Sequence, residues 1–379
     1  MNIQTNVNLR PYNSFHLDCL ARYFVVIESE EDFLELMQTD IYHQNKNIII
    51  GGGSNILLTQ DTYEWLVIKN EIMWKEIIDE TDTQVTIKIG WWEDRDSFVS
   101  WAIQRDYCGM ENLVSIPGTV WAAPMQNIWA YGVQIQDLVQ NVWWIDIPSA
   151  THIILANYEC NFWYRDSIFK QALKNNFYIS HVTIILDKYS SQTYFPNISY
   201  GAIQDKLAQI SHWVDLQLSP KLIADVIASI RESKLPNWKE IGTAGSFFKN
   251  PIVSKEKYKQ LQSLDPSIKW YPVTKQATLP WQGEVAFVKQ KAEGFTTDKQ
   301  KDRSKSRDLI KLNAWQLIDL AWLKGLQHGN VGTYHKHALV LINNGQWTGQ
   351  ELVELAARIQ KIVKESFDVE IIPEVNYID

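Results

Sequence analysis

The stretch GMENLVSIPGTVWAAPMQNIWAYGVQI, residues 109–135, decides how the rest of this chain is organised. It combines small residues, two prolines and several side-chain amides, and it has neither the period of an amphipathic helix nor that of a strand. We therefore expect loops and turns whose backbone comes close to a ligand. Gly118, with Thr119 beside it, offers backbone N–H groups that suit a diphosphate. A single such glycine more often marks a tight turn, so the argument depends on the whole stretch.

Composition describes a soluble globular protein that is long enough for two or three domains. The chain has 379 residues, of which 45% are hydrophobic and 21% charged, and its net charge is -8. An acidic chain does not favour general nucleic-acid binding, but it is compatible with a local basic pocket for an anionic substrate. Cys19, Cys108 and Cys160 form no CxxC pair, which predicts a reducing compartment without a disulfide framework. We expect no secretory signal and no membrane span, and hence a cytoplasmic protein.

Two further motifs contain glycine next to small polar residues. The apolar run Asn47–Ile50 leads into GGGSN at residues 51–55, and a strand that enters a glycine turn is typical of a phosphate cradle. The sequence GTAGSFFKNP occupies residues 242–251. By itself, a glycine triplet is more often a turn, and a serine after glycine is more often a turn residue or a helix cap.

Together these motifs resemble the UDP-N-acetylenolpyruvoylglucosamine reductase family, in the subclass that has a tyrosine substrate loop. The matching segments are 51–58, 115–120, 122–124, 126–128, 130–132, 161–170 and 242–251. The resemblance extends from about Leu9 to about Val375. It implies an α+β fold, in which a two-subdomain FAD-binding region of the vanillyl-alcohol-oxidase/PCMH-like type precedes a C-terminal α+β substrate-binding domain.

The activity implied by the resemblance is an NADPH-dependent, FAD-mediated reduction of UDP-N-acetylglucosamine enolpyruvate to UDP-N-acetylmuramate, in peptidoglycan precursor synthesis. Catalytic roles would fall to Arg165, Ser246 and Glu374. The guanidinium suits a carboxylate, and the hydroxyl would deliver a proton with the help of a neighbour. The glutamate would orient the surroundings of the substrate carboxylate or assist protonation. Otherwise these residues are a structural ion pair, a turn residue and a solvated strand residue.

The resemblance also assigns the cofactor and substrate contacts. The residues that would bind FAD are Gly51, Gly52, Gly53, Ser54, Asn55, Ser115, Pro117, Gly118, Thr119, Gln126, Asn127, Tyr131 and Gly132. The substrate would contact Tyr164, Tyr200, Lys234 and Asn250, of which the last three could equally be ordinary surface or turn residues. We expect no metal site, since His335 and His337 have no acidic or cysteine cluster to complete one.

The predicted organisation has three parts. Residues 1–73 and 74–218 form the two FAD-binding subdomains, and 219–379 form the substrate-binding domain. The second boundary precedes a helix with Ser219 as its N-cap and Pro220 at its first position. The mixed-charge segment 289–308 is interpreted as a surface insertion, because such runs are usually solvated rather than bound to nucleic acid. We expect a monomer.

Local patterns predict several elements of secondary structure. Capping boxes are expected at Ser29 with Asp32 and at Thr348 with Glu351. The remaining expected elements are strands at 83–89, 181–186 and 369–377 and a helix at 96–105.

Glycine and tryptophan occur in abnormal numbers, 17 of each. Average glycine usage would give roughly 27 glycines in a chain of this length. Tryptophan replaces the family's glycine at Trp92, Trp121, Trp129, Trp163, Trp315 and Trp322, and His16 stands at another such position.

Two explanations for the tryptophans compete. The chain could be a flavin-free, degenerate homologue that acts as a binding or scaffold protein. Alternatively, the source reads UGA as glycine and the translated sequence shows tryptophan in its place. The second is favoured, because one type of replacement recurs while Arg165, Ser246 and Glu374 are kept. For the function, a further alternative is a different flavin oxidoreductase on the same architecture.

Overall fold

The computed structural model describes residues 1–174, 176–211, 216–272, 309–345 and 348–379. The charged segment 289–308, predicted to be a surface insertion, lies outside the described residues. Within the described parts, no helix combines the length and the apolar character needed to cross a bilayer.

The N-terminal part is built on a four-stranded sheet. Its elements, with one strand that pairs elsewhere, are β1 (Ile3–Asn8), β2 (Leu20–Ile27), α1 (Glu30–Leu36), α2 (Asp40–Gln44), β3 (Asn47–Ile50), β4 (Ile56–Leu58) and β5 (Thr62–Asn70). The strand order is β1-β2-β5-β3, with β2, β5 and β3 parallel and β1 antiparallel to β2. The two helices carry the crossover from β2 to β3, so that the glycine loop begins at the carboxyl end of a half-buried edge strand.

The middle part is an antiparallel sheet with helices packed against it. Its elements are β6 (Lys75–Glu80), β7 (Gln84–Gly90), α3 (Arg95–Ile103), β8 (Tyr107–Cys108), α4 (Ala122–Met125), β9 (Trp129–Ala130), β10 (Val133–Gln134), β11 (Val139–Asp146), β12 (Thr151–Ala156), β13 (Phe177–Lys188), α5 (Gly201–Ser211) and α6 (Pro220–Lys234). The sheet order is β12-β11-β13-β7-β6, with β8 beside the end of β13, and β9 pairs with β10.

The C-terminal part carries two small sheets and a long helix. Its elements are β14 (Ile252–Ser254), α7 (Lys255–Leu264), β15 (Trp270–Pro272), β16 (Leu309–Leu312), α8 (Ala314–Leu320), β17 (Gln327–His328), β18 (Val331–Tyr334), β19 (His337–Asn343), α9 (Gly349–Phe367) and β20 (Asn376–Ile378). The sheets are β14-β16-β15 and β17-β18-β19. The last strand, β20, pairs in parallel with β4 in the N-terminal part.

Two large apolar cores hold the described residues together. One joins the antiparallel sheet to α1, α3 and α6, and the other joins one face of the N-terminal sheet to α8 and α9. The contact between Phe15 and Phe247, whose ring centroids are 6.3 Å apart, belongs to the second core. The apolar stripe of α6 packs into the first core, so this helix packs with the antiparallel sheet. The predicted domain boundaries stay predictions.

Most local predictions of secondary structure are confirmed. Both capping boxes form, and strands and a helix cover the expected positions at Gln84–Gly90, Phe177–Lys188 and Arg95–Ile103. Between residues 109 and 135 the longest element is the 4-residue α4, as expected for a stretch of loops.

The prediction of a continuous strand over residues 369–377 is wrong. Only Asn376–Ile378 forms a strand. Pro373 lies in the middle of the predicted strand and has no N–H to donate to a sheet. It makes a single bridge to Phe248. The apolar side chains of Val369 and Ile371 are buried all the same, which explains the misleading pattern.

Candidate active site

A large cavity is lined by all three parts of the chain. Its volume is about 2570 Å³, whereas a site for a single small ligand usually measures roughly 300–1,000 Å³. Twelve lysines and arginines line it against six aspartates and glutamates. The chain as a whole has a net charge of -8, so the cavity is a local basic region that suits anionic ligands.

Two glycine loops, the first at residues 51–55 and the second at residues 115–119, form a surface of bare backbone at one wall of this cavity. Gly53 has φ +59°, and a Cβ there would lie 1.9 Å from the carbonyl oxygen of Tyr12, so only glycine fits. A Cβ on Gly52 would lie 3.4 Å from the Cα of Gly118, which places the two loops against each other. The Ser54 hydroxyl also donates to the carbonyl of the second loop at Pro117, at 3.4 Å.

Several predicted site residues adopt left-handed backbone conformations although they are not glycine. Ser115, Tyr131 and Arg165 have φ values of 57°, 48° and 53°. Hydrogen bonds to side chains hold Ser115 and Tyr131 in place. The Ser115 N–H donates to Asp96 at 2.6 Å, and the Tyr131 carbonyl accepts from Asn112 at 2.8 Å. Such conformations cost about 1–3 kcal/mol each and cluster at functional sites.

The three predicted catalytic residues line the same cavity. Ser246 bridges to Val340 of β19, and the N–H of Glu374 donates to the carbonyl of Phe247 at 2.7 Å. The serine and the glutamate therefore lie on adjacent extended segments. The Arg165 Nε lies 3.4 Å from Glu374 Oε2, and the side chains of this ion pair are 18% and 8% exposed.

The predicted substrate contacts also line the cavity. Tyr200 packs edge-on against Tyr131, with ring centroids 5.1 Å apart. The side-chain oxygen of Asn250 accepts from the backbone N–H of Ala314 at 2.9 Å, which fixes the amide at the start of α8. Burial raises the pKa of Tyr164, so its phenol stays protonated at neutral pH.

Among the predicted cofactor contacts, Asn127 differs from the others. The other twelve residues line the cavity, whereas Asn127 is 1% exposed and does not. Its amide donates to Gln134 at 3.0 Å, to Gln136 at 2.7 Å and to the Trp163 carbonyl at 3.2 Å. Its own φ of 44° is left-handed, so the side chain fixes a turn behind the cavity wall. The structure thus gives Asn127 a role in shaping this turn, and its expected contact with the cofactor stays a prediction.

Ten of the twelve basic residues of the lining were not predicted from the sequence, and three of these ten contact predicted site residues. Arg95 and Arg231 flank the second glycine loop, and the Lys311 Nζ lies 4.5 Å from the centre of the Tyr164 ring. Arg231 precedes Lys234 by one helical turn of α6, and that spacing could have identified it. No local pattern marks Arg95 or Lys311, because tertiary packing alone brings them to the site.

The two histidines considered for a metal lie at β19 and just before it. Burial, followed by the charge of Lys234, lowers the pKa of His337 to about 4. The described residues contain no group of three or more His, Cys, Asp or Glu that could hold a metal ion.

Comparison with known proteins agrees with this geometry. A family model described as "UDP-N-acetylenolpyruvoylglucosamine reductase, C-terminal domain" matches residues 236–378, and one described as "FAD binding domain" matches residues 21–154. The UDP-N-acetylenolpyruvoylglucosamine reductase of Flavobacterium johnsoniae is 35% identical over 378 residues, and that of Amoebophilus asiaticus is 36% identical over 378 residues; each match covers 100% of both chains. The chain belongs to the UDP-N-acetylenolpyruvoylglucosamine reductase family.

A solved structure gives the same result for the fold of this reductase. The UDP-N-acetylenolpyruvylglucosamine reductase of Thermus caldophilus superposes with a TM-score of 0.61 at 17% sequence identity, and the match covers 100% of both chains. The predicted α+β class is thereby confirmed. With its FAD-binding domain, this member of the family is an FAD-dependent oxidoreductase.

The residues of the reductase fit FAD at the two glycine loops. The bare backbone at Gly52 and Gly118 leaves room for a diphosphate, and the basic lining supplies the opposite charge. Trp121 packs closely against the first glycine loop, because a Cβ on Gly51 would lie 3.0 Å from its indole ring. Trp129 lines the same cavity, with the Lys311 amine 5.2 Å from the centre of its ring.

The six tryptophans at family glycine positions have different environments. Trp322 follows α8 with φ 60° and is 93% exposed, which is the left-handed position where helices prefer glycine. Trp121 is 7% exposed, and its buried indole N–H has no hydrogen-bond partner among the described residues. Of the six, Trp322 alone has a positive φ. His16, at φ 56°, occupies another glycine-like position.

Proposed function

We propose that this reductase converts UDP-N-acetylglucosamine enolpyruvate to UDP-N-acetylmuramate with electrons from NADPH, a step of peptidoglycan precursor synthesis. The ion pair of Arg165 and Glu374 beside the segment that bears Ser246, on the wall of a basic cavity, carries this proposal. The cytoplasmic location and the monomeric state stay predictions.

The substrate carries a carboxylate on its enolpyruvyl group and phosphates in its nucleotide part, and the cavity offers cations for both. Arg165 would bind the enolpyruvyl carboxylate, because a planar guanidinium matches a carboxylate in two parallel hydrogen bonds. Its buried Nε makes no hydrogen bond within the described part of the chain. Glu374 would hold the guanidinium in position through their ion pair. Lys234 and Lys311, both in the lining, would face the phosphates at the other end.

The chain must also supply a proton and stabilise developing charge. When bound, FAD supplies the electrons that it takes from NADPH. Charge that develops towards the substrate carboxylate would be stabilised by Arg165, which is already in place before the reaction. One carbon of the enol ether double bond would receive a hydride, and the hydroxyl of Ser246 would donate a proton to the carbon beside it, so that the double bond becomes single. A hydroxyl is a weak acid, so this donation depends on a neighbouring group or a chain of water molecules that assists the proton transfer.

The test is a steady-state assay with purified protein, FAD, NADPH and the enolpyruvyl nucleotide. We expect NADPH absorbance to fall only when the nucleotide is present, and mass spectrometry to show a product with two added hydrogens. Ser246→Ala should lower kcat by about 10²–10⁴-fold and leave the flavin spectrum unchanged. Ser263→Ala, at an exposed position of α7, is the matched control and should change neither.

Two outcomes would contradict the proposal. A Ser246→Ala enzyme that keeps its full kcat would exclude this hydroxyl as the proton donor. A protein that binds FAD but shows no turnover with the nucleotide would be a different flavin oxidoreductase. The flavin-free alternative is not favoured, since the FAD-binding family matches residues 21–154.

A further inference from the structure

Arg95 is a buried cation that has no ion-pair partner among the described residues. The residue lies at the start of α3, is 3% exposed and lines the cavity. Within the described residues, no carboxylate lies within 4.0 Å of its guanidinium, and its buried Nε makes no hydrogen bond. A buried charge that is neither paired nor fully hydrogen-bonded is costly, so an anion is expected to complete its surroundings.

The nearby carboxylates are used for other purposes. Asp94 accepts from the N–H of Ser97 at 2.8 Å as the N-cap of α3, and Asp96 accepts from the N–H of Ser115 at 2.6 Å. A second buried arginine, Arg231, donates from its Nε to the Ser115 carbonyl at 3.1 Å. Burial, followed by repulsion from Arg231, lowers the pKa of Arg95 to about 10. Arg95 stays charged at neutral pH, and the two cations repel each other until an anion joins them.

The guanidinium is bound directly to the second glycine loop. Its Nη2 donates to the carbonyls of Ile116 at 3.1 Å and Pro117 at 2.5 Å, and the backbone N–H of Arg95 donates to Gly118 at 3.0 Å. A Cβ on Gly118 would lie 3.4 Å from the same Nη2. A ligand that contacts the bare backbone of this glycine is therefore within reach of the guanidinium.

We propose that Arg95 binds the diphosphate of a nucleotide at the second glycine loop, and that this nucleotide is FAD. Both FAD and the proposed substrate carry a diphosphate. The position favours FAD, because the loop bound to Arg95 packs against the other glycine loop at Gly52. The inference uses the FAD-binding activity and not the proposed substrate, so either can fail without the other.

The test measures ligand affinity of the apoprotein by quenching of flavin fluorescence. Arg95→Met should weaken FAD binding by about tenfold to a hundredfold, since one charge-assisted contact is lost. Arg95→Lys should recover part of this loss, because it keeps the charge without the planar fork. Arg105→Met, in the exposed segment after the same helix, is the control and should bind FAD as the unmodified protein does.

Riboflavin has no phosphate, so its affinity shows whether Arg95 binds the diphosphate or only supports the second glycine loop. If Arg95 acts on the diphosphate, Arg95→Met leaves riboflavin affinity unchanged. An equal loss for riboflavin and FAD would overturn the proposal in favour of a purely structural role.

A calorimetric titration with UDP distinguishes the two diphosphates. Loss of UDP affinity with FAD affinity unchanged would overturn the assignment to FAD. Unchanged affinity for both ligands would overturn the proposal as a whole. If Arg95→Met does not fold, the same comparisons are made with Arg95→Lys, for which FAD affinity equal to that of the unmodified protein would contradict the proposal.

Discussion

Several residues at this site hold backbone conformations that L-amino acids rarely adopt. Ser115, Tyr131 and Arg165 have left-handed backbone conformations and line the cavity, so their backbone strain lies at the candidate site. Trp322 has the same conformation without any such contact, because its side chain is 93% exposed. Its position after α8 satisfies the conditions under which a helix ends in glycine.

The first prediction concerns this exposed tryptophan. Trp322→Gly should raise the free energy of unfolding by about 0.5–1.5 kcal/mol. The reason is that the left-handed backbone conformation costs tryptophan more free energy in the folded protein than glycine loses through its greater freedom in the unfolded chain. Urea unfolding at fixed protein concentration measures the change. Trp315→Gly is the control, since this residue lies within α8, and glycine inside a helix should lower stability by about 1 kcal/mol. A stability loss in both variants would contradict the prediction.

The explanation of the tryptophans by UGA codons stays a prediction, and the mass of the native protein tests it. Each glycine in place of a tryptophan removes an indole side chain from the calculated mass of 44.0 kDa. We expect intact protein from the source organism to be lighter by several such units. A mass that fits all 17 tryptophans would exclude recoding.

At the scale of helices and strands, local sequence patterns predicted the features that depend on residues close together in the chain. A serine or threonine three residues before an acidic side chain was enough to locate the starts of α1 and α9. The strand expected at 369–377 failed because Pro373 interrupts the backbone hydrogen bonds while the apolar alternation continues. The hydrogen bonds of the Asn127 side chain could not be predicted, because its partners Gln136 and Trp163 become neighbours only after folding.

Strand β5 carries the charge of Lys69 in a buried position, and this gives a prediction about how stability depends on pH. Lys69 of β5 has a side chain that is 4% exposed, with its amine 3.5 Å from Glu71 and 2.9 Å from the centre of the Trp92 ring. Burial, opposed in part by Glu71, lowers the pKa of Lys69 to about 8. Between that value and the ordinary 10.5, the unfolded chain binds more protons than the folded protein, so the contribution of Lys69 to stability rises with pH.

Lys69→Met should therefore stabilise the protein most at pH 7, by about 1–3 kcal/mol, and the gain should shrink as the pH approaches 10.5. Urea unfolding of both proteins at pH 7 and at pH 10 measures the difference. Lys221→Met, whose native side chain is 75% exposed, should change stability little at either pH. A gain of the same size at both values would show that the amine is not destabilised by burial.

At the scale of the whole molecule, the site depends on contacts between distant parts of the chain. One cavity is lined by the two glycine loops, by Arg165, and by Ser246 and Glu374 of the C-terminal part. The family resemblance identified most of these residues, but no pattern in the sequence places Arg95 beside residues 115–118, since that contact exists only in the folded structure.

The pairing of β20 with β4 gives a prediction at this scale. Thr59 donates its N–H to Ile378 at 2.9 Å, and Asn376 donates to the Asn55 carbonyl at 3.1 Å. Deletion of residues 376–379 should lower the free energy of unfolding by about 2–4 kcal/mol and weaken FAD binding, because the first glycine loop loses its support. Urea unfolding and flavin-fluorescence titration measure the two effects. Ile372→Ala, at a site 60% exposed, should change neither, and unchanged FAD affinity after the deletion would contradict the argument.

This pairing also bears on when the enzyme can mature in the cell. Proteins generally fold from the N-terminus as the ribosome synthesises them. Here the turn after β3 appears early, whereas the strand that anchors it contains residues 376–378. The nucleotide cradle therefore gains the support of β20 only after residues 376–378 have been synthesised, so the first glycine loop is expected to become fully ordered late in the folding of the chain.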